Sequence, residues 1–311
     1  MTMTERITSG QRDQIVEFAT ARTRRVVDAF DLDKEQAQLV IFNGHEFGQI
    51  VGDAVRIALA RLSVSQQFAD EEVESSWGYP DEYTGPALIG EQAAKLAAIF
   101  GLSLGETMRF VEQALPMLTL PDGAEGWFAI PKVEAIAARH FKSVTNLHER
   151  YVRAVLLMFE KIKQSRTFYN YRDGEITSDR LHQCARTMAM LELIGETQKG
   201  DILIVPAQFG LRHRGRSVRR GGVVYTKSEF GLGSLATGSM TLTHPTRFVR
   251  WDQLHVDCAG DEFAPEADGG SSRASYWYFR DGRLRFDSCR VGLADPSCGS
   301  ASAFLPPGVT P

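Results

Sequence analysis

Apolar positions recur at helical spacing through the first two-thirds of the chain and lose that period near Lys199-Gly200. From Ser9 onward, Ile15, Phe18, Ala19, Val26 and Phe30 fall on one face, predicting an amphipathic helix whose stripe Arg22 interrupts. Asp33 and Gln36 have the spacing of a capping box, and Phe47, Ile50, Val51, Ala54, Val55, Ala58 and Leu62 form a longer stripe after it. The acidic, Pro- and Gly-bearing stretch from Asp70 to Pro86 has no period and predicts a loop or linker. Two short helices then meet at Gly101, the second opening on Ser103 and Glu106 as a capping box, with Leu104, Met108, Val111 and Leu115 on one face. Pro131 suits the first turn of a helix whose inner face is Val133, Ile136, Ala137 and Phe141. Tyr151, Val152, Val155, Leu156, Phe159 and Ile162 give the longest clean pattern. Leu181, Cys184, Ala185, Met188 and Leu191 continue it to about Glu196, which places His182 and Cys184 on a helix.

Beyond Gly200 glycine is frequent and short β-rich runs appear, at Ile202 to Val205, Val223 to Thr226, Met240 to Thr243 and Leu254 to Val256. Ser275 to Arg280 and Arg283 to Asp287 flank Asp281-Gly282, the dipeptide that supplies the positive φ of a type I′ turn, and predict a β-hairpin. The expected fold class is α+β: a helical region over 1–199, with a linker-like loop at about 70–90, and a mixed β region over 200–305. A Pro-rich tail over 306–311 is expected to be an extended arm.

The chain has 311 residues, 43% of them apolar and 24% charged, which is enough for a sizeable core and favours two domains or one large one. No apolar run is long enough to cross a bilayer, and the polar start Met1-Thr2-Met3-Thr4-Glu5-Arg6 has no apolar signal core. Four cysteines without CxxC spacing fit reduced thiols, although spacing alone leaves a Cys289–Cys298 pair open. The expectation is a soluble cytoplasmic protein without a membrane partner. A net charge of −4 excludes a molecule that is a polyanion binder overall, so any such binding must be local.

Charge is distributed in two opposed blocks. Between Ile202 and Ser228 the ionic residues are Arg212, Arg214, Arg216, Arg219, Arg220 and Lys227, a formal +6. Between Trp251 and Ser272 they are Asp252, Asp257, Asp261, Glu262, Glu266 and Asp268, a formal −6. Five guanidiniums in nine residues cannot be buried without partners, so they face water, anions or carboxylates. Arginine forks hold phosphate, and Gly215 with Gly221-Gly222 would let backbone approach such a ligand. The acidic block fails as an EF-hand, having Ala259 at the third position and its glycine at the fourth. Carboxylates crowded in a turn-rich loop nonetheless suit Mg²⁺ or another divalent cation, with Asp257, Asp261, Glu262 and Asp268 as candidate ligands. Cys258 beside His255 evokes a nucleophile pair, but residues three apart on a strand point to opposite faces. His45-Glu46 lacks the second histidine of H-E-x-x-H, and Gly231, Gly233 and Gly238 do not form G-x-G-x-x-G.

The blocks from Gln208 to Arg220, Glu229 to Gly233 and Asp257 to Phe263 resemble a family of uncharacterised bacterial proteins, over roughly the last half of the chain. The resemblance implies a bacterial-type cytosolic protein and no particular activity. Three functions stay open: a protein engaging the phosphates of a nucleic acid or nucleotide through Arg212, Arg214, Arg216, Arg219 and Arg220; a divalent-metal-dependent phosphoester hydrolase or transferase using Asp257, Asp261 and Glu262; and a structural or partner-binding protein whose two charged loops form an internal clasp.

Overall fold

Thr8 and Asp33 open the first two helices. Each accepts a hydrogen bond from the N–H three residues on, while Gln11 or Gln36 reaches back to the cap residue, so two orphan N–H groups are satisfied reciprocally. The computed structural model describes residues 7–62, 65–264 and 270–310, and the chain divides into two units, Met1–Val64 and Ser65–Pro311. The first unit contains α1 (Ser9–Ala29), α2 (Lys34–Phe42) and α3 (Gly44–Leu62). The second begins with α4 (Ile89–Phe100), α5 (Gly105–Gln113), β1 (Gly126–Pro131), α6 (Val133–His140), α7 (Leu147–Ser165), β2 (Phe168–Asn170), β3 (Leu181–Gln183) and α8 (Ala185–Thr197). It continues through β4 (Ile202–Gln208), α9 (Val218–Val224), β5 (Glu229–Gly231), α10 (Ser234–Thr243), β6 (His255–Asp257) and β7 (Asp261–Phe263). The hairpin β8 (Arg273–Arg280) and β9 (Arg283–Arg290) follows, then β10 (Cys298–Ser300) and β11 (Ser302–Phe304). The class is α+β, with helices mainly toward the N-terminus and strands toward the C-terminus. No helix among the described residues is long and apolar enough to cross a membrane.

The strands form two sheets. One is antiparallel in the order β1-β4-β11-β5. The other runs β10-β6-β8-β7-β3, with β9 also on β8 and β2 on β9. Its hairpin turns at Asp281 (φ 51°) and Gly282 (φ 72°), as the Asp-Gly pair predicts. Ala301 joins the sheets. Its N–H donates to the Asp257 carbonyl at 3.0 Å and its carbonyl accepts from Leu232 N–H at 3.0 Å. β1 lies before residue 199 and pairs along its whole length with β4, so the change of sequence texture there falls inside the second unit.

Several elements depart from local expectation. Met240 to Thr243, expected as strand, closes α10, all ten residues of which are buried. Its hydroxyls explain how: Thr237, Thr241 and Thr243 donate to the carbonyls of Gly233 (3.0 Å), Thr237 (2.9 Å) and Met240 (2.9 Å), hiding their own polar atoms. Val223 and Val224 end α9, which Ser217 caps by accepting from Arg220 N–H. His182 lies on β3 and Cys184 just before α8, because pairing with β7 outweighs the local helical period. Ser103 does not cap α5. Its N–H donates to Asp201 Oδ2 at 2.9 Å, and the helix opens beyond Leu104 without a side-chain cap.

The glycines of the Glu229 to Gly233 and Asp257 to Phe263 blocks mark a place where backbone meets backbone. Gly260 N–H donates to the Leu232 carbonyl at 3.0 Å, and a Cβ on Gly260 would lie 2.5 Å from Gly231 O and from Gly233 N. These obstructing atoms are main chain and cannot swing aside. Gly260→Ala is therefore expected to destabilise the fold by about 3 kcal/mol or more; a denaturant midpoint equal to that of the wild type would contradict this crossing.

Candidate functional site

The arginine block lies on the turn after β4 and the first turn of α9, and most of its guanidiniums meet carboxylates of the same chain. Arg219 Nε donates to both Glu71 carboxylate oxygens at 2.8 Å, and Ser217 Oγ donates to Glu71 Oε2 at 2.6 Å. Arg220 and Arg216 reach Glu72 at 2.5 and 3.3 Å, and Arg220 also donates to the carbonyls of Ser65 and Gln67. The Arg219 guanidinium holds Glu71 below the ordinary carboxylate value. Burial opposes the same effect at Glu72, where Arg220 and Arg216 prevail. Arg214 Nη1 donates to the Trp77 carbonyl at 3.0 Å.

Arg212 pairs with Glu229 at 3.1 Å, and Glu229 has no exposure at all. His213 Nε2 donates to the same carboxylate at 2.7 Å, while its Nδ1 accepts from Arg216 Nη1 at 3.2 Å. An Nδ1 that accepts carries no proton, so His213 is neutral, in line with the lowering that burial imposes. The cation opposite Glu229 is therefore Arg212. This is the contact pattern of an internal clasp, but its acids are Glu71, Glu72 and Glu229, not those of the Trp251 to Ser272 block.

The acidic residues disperse. Glu262 is exposed on β7 opposite His182. Asp268 and Glu266 lie outside the described residues. Asp261 is buried and accepts from Tyr151 Oη at 2.5 Å and from Ser234 N–H at 2.7 Å, at the N-terminus of α10. Burial raises its carboxyl to about 6 against those hydrogen bonds. Asp257 meets a different set of neighbours. Among the described residues no three His, Cys, Asp or Glu side chains form a group able to hold a metal ion, so Asp257, Asp261 and Glu262 are not brought together as ligands.

Asp257 occupies the floor of a cleft of about 260 Å³. Residues two apart on a strand share a face. Val256, Trp277, Leu284 and Phe286 are wholly buried in the core, so His255 and Asp257 of β6, Tyr276 and Tyr278 of β8, Cys289 of β9 and Cys298 of β10 share the other face. Tyr276 and Tyr278 stack at 5.1 Å, the His255 ring lies 5.3 Å from Tyr278 and 5.7 Å from Trp77, and Trp251 stands at the mouth, 63% exposed. Cys289 Sγ is 3.8 Å from Asp257 Oδ1. Cys298 Sγ and Ser297 Oγ are 4.0 and 3.4 Å from His255 Nδ1.

No family model, curated protein or solved structure matches this chain.

Burial sets the protonation of the cleft. It raises Asp257 from 3.8 to about 7, with Asp295 adding repulsion and the Cys289 hydrogen bond opposing, and among the described residues no cation pairs with it. Burial and the nearby Asp257 push both the Cys289 and Cys298 thiols up, so they are protonated at neutral pH and are not nucleophilic thiolates. Burial lowers His255, keeping its ring uncharged. The thiol that accompanies His255 is Cys298. Cys258 is fully buried among Ser234, Thr237 and Ser275, as the three-residue offset on a strand requires. Of the cleft residues, sequence reasoning singled out only Asp257 and His255 for chemistry. The available signal for the others was the even-numbered series Tyr276 and Tyr278 in the hairpin arm, opposite the apolar odd series.

Two outcomes follow from this electrostatic arrangement. Arg220→Met leaves Glu72 and two carbonyls short of a donor and should cost about 2 kcal/mol, lowering Tm by about 5 °C; an unchanged melt would mean the clasp contributes no stability. Asp257 has a raised folded-state pKa, so its favourable contribution is complete below 3.8 and is lost as pH rises through about 7. Compared with wild type, Asp257→Asn should gain roughly 4 kcal/mol between pH 4 and pH 8, a difference in which the similar slope from Asp261 cancels. Parallel stability curves for the two proteins would refute the raised value.

Proposed function

We propose that the protein binds a small uncharged molecule, one with a ring face and hydrogen-bonding groups, in the cleft above Asp257. The observation that carries this reading is a buried carboxyl with no cation paired to it among the described residues, at the base of a cleft walled by aromatic rings. Near neutral pH the carboxyl can donate a hydrogen bond, the two thiols are weak donors, and His255 Nδ1 and the Ser297 hydroxyl accept. Such a set suits a neutral polar molecule, while Trp251, Tyr276 and Tyr278 offer faces for stacking. A carboxyl that titrates close to 7 is also matched to general acid–base work, so a proton transfer on the bound molecule is within its reach.

The charged block supports a second, structural role, because its Arg–carboxylate contacts are made within the chain. A nucleic acid or nucleotide phosphate would have to replace Glu71, Glu72 or Glu229 at those guanidiniums, which makes phosphate engagement the weaker reading.

Thermal-shift and tryptophan-fluorescence titrations with monosaccharides, nucleosides and nucleobases at pH 6 and pH 8.5 test the cleft. A ligand should raise Tm at pH 6, lose about tenfold in affinity at pH 8.5 as Asp257 ionises, and fail to bind Trp251→Ala. Binding that ignores both pH and Trp251, or no binding by any compound, would count against the proposal.

A further inference from the structure

We infer that the N-terminal helical unit is a self-association surface, through which α1 and α3 of one chain pack against the same helices of a second copy. This inference is independent of the cleft. In α1, Ile15, Ala19, Arg22, Val26 and Ala29 succeed one another at steps of 4, 3, 4 and 3, and in α3, Phe47, Val51, Ala54 and Ala58 do so at steps of 4, 3 and 4. Alternating steps of 4 and 3 are the spacing by which one helix meets another along a seam.

The seams stand open. α1 contains no buried residue, the seam residues Ile15, Val26 and Phe47 are 37%, 53% and 42% exposed, and Phe18, Phe30 and Ile50, which flank the seams three or four residues from their members, are 67%, 68% and 62% exposed. The apolar side chains on and beside the two seams expose on the order of 800 Å², about what each partner gives to a stable interface.

A second copy fits this surface best. α1 and α3 have 21 and 19 residues, and their seams, Ile15 to Ala29 and Phe47 to Ala58, each extend about 20 Å and match in length when two copies meet. A lipid surface fits less well, because the polar side of α1 mixes Asp13, Glu17 and Asp28 with Arg24 and Arg25 and offers anionic headgroups no consistent charge. Arg22 interrupts the α1 seam and is exposed there, a polar residue that weakens association while restricting its register.

Sedimentation equilibrium of the full chain, up to about 100 µM, tests the inference, since association depends on concentration. A dimer of two 34.5 kDa chains is expected. Ile50→Glu should raise its dissociation constant about a hundredfold and Arg22→Leu should lower it about tenfold. The opposite signs separate a seam from misfolding, because a variant that merely failed to fold could not tighten the dimer. A monomer at every concentration would overturn the inference, and so would an oligomer whose dissociation constant neither variant moves.

Discussion

Pairing of Glu71 and Glu72 with Arg216, Arg219 and Arg220 is the constraint on which the second unit's functional surface depends. It anchors a segment that has no helix or strand of its own. From this anchor Val73 N–H donates to Gly215 O at 2.8 Å, Arg214 holds the Trp77 carbonyl, and Gly78 O accepts from Leu254 N–H at 2.8 Å. The Trp77 ring is thereby set against two rings that line the cleft, His255 at 5.7 Å and Trp251 at 6.1 Å. Partly buried ion pairs of this kind contribute little net stability compared with apolar packing, because desolvation offsets much of the Coulombic gain. Their value here is positional: guanidiniums with several fixed donors, together with the few backbone hydrogen bonds at Glu71, Val73 and Gly78, specify one path for residues 65–79.

Two buried aspartates show how the same burial leads to different chemistry. Asp261 accepts from a tyrosine hydroxyl and from the N–H at the start of α10, so its capacity as an acceptor is used within the fold. Among the described residues the Asp257 carboxyl has only a long contact from the Cys289 thiol; it faces the cleft and is displaced further, to about 7 against about 6. The less satisfied group is the one next to open space. That is the arrangement expected of a residue whose partner is supplied from outside, since an unpaired buried carboxyl lowers the stability of the fold on its own.

Legibility in the sequence followed the range of the interactions. The capping box at Asp33, the stripe of α7 and the Asp281-Gly282 hairpin depend on residues within a few positions of one another, and the α+β class follows from them. β1 and β3 are short and paired with distant strands, so their neighbours in sequence carry no sign of them. α10 escaped because its Ser and Thr residues look like strand or loop until their hydroxyls are seen bonded to the preceding turn. The arginines were readable as groups in need of partners, but the choice between Glu71, Glu72 and the more numerous acids after Trp251 is made only by the fold. The cleft was least readable, because it is assembled from alternate residues of strands adjacent in space and from Trp251, which precedes all of those strands in the chain.

The glycine crossing explains why Asp257, Asp261 and Glu262 are not brought together. β6 ends at Asp257 and β7 begins at Asp261, and the intervening turn is pressed against Gly231 to Gly233, where a side chain has no room. A turn this tight cannot spread its carboxylates around a common centre. It directs Asp257 toward Cys289 and Asp261 toward Ser234, leaving Glu262 in solvent. Backbone packing thus gives these three carboxyls separate environments: one that holds the first N–H of a helix, one that is hydrated, and one that remains available at the base of the cleft.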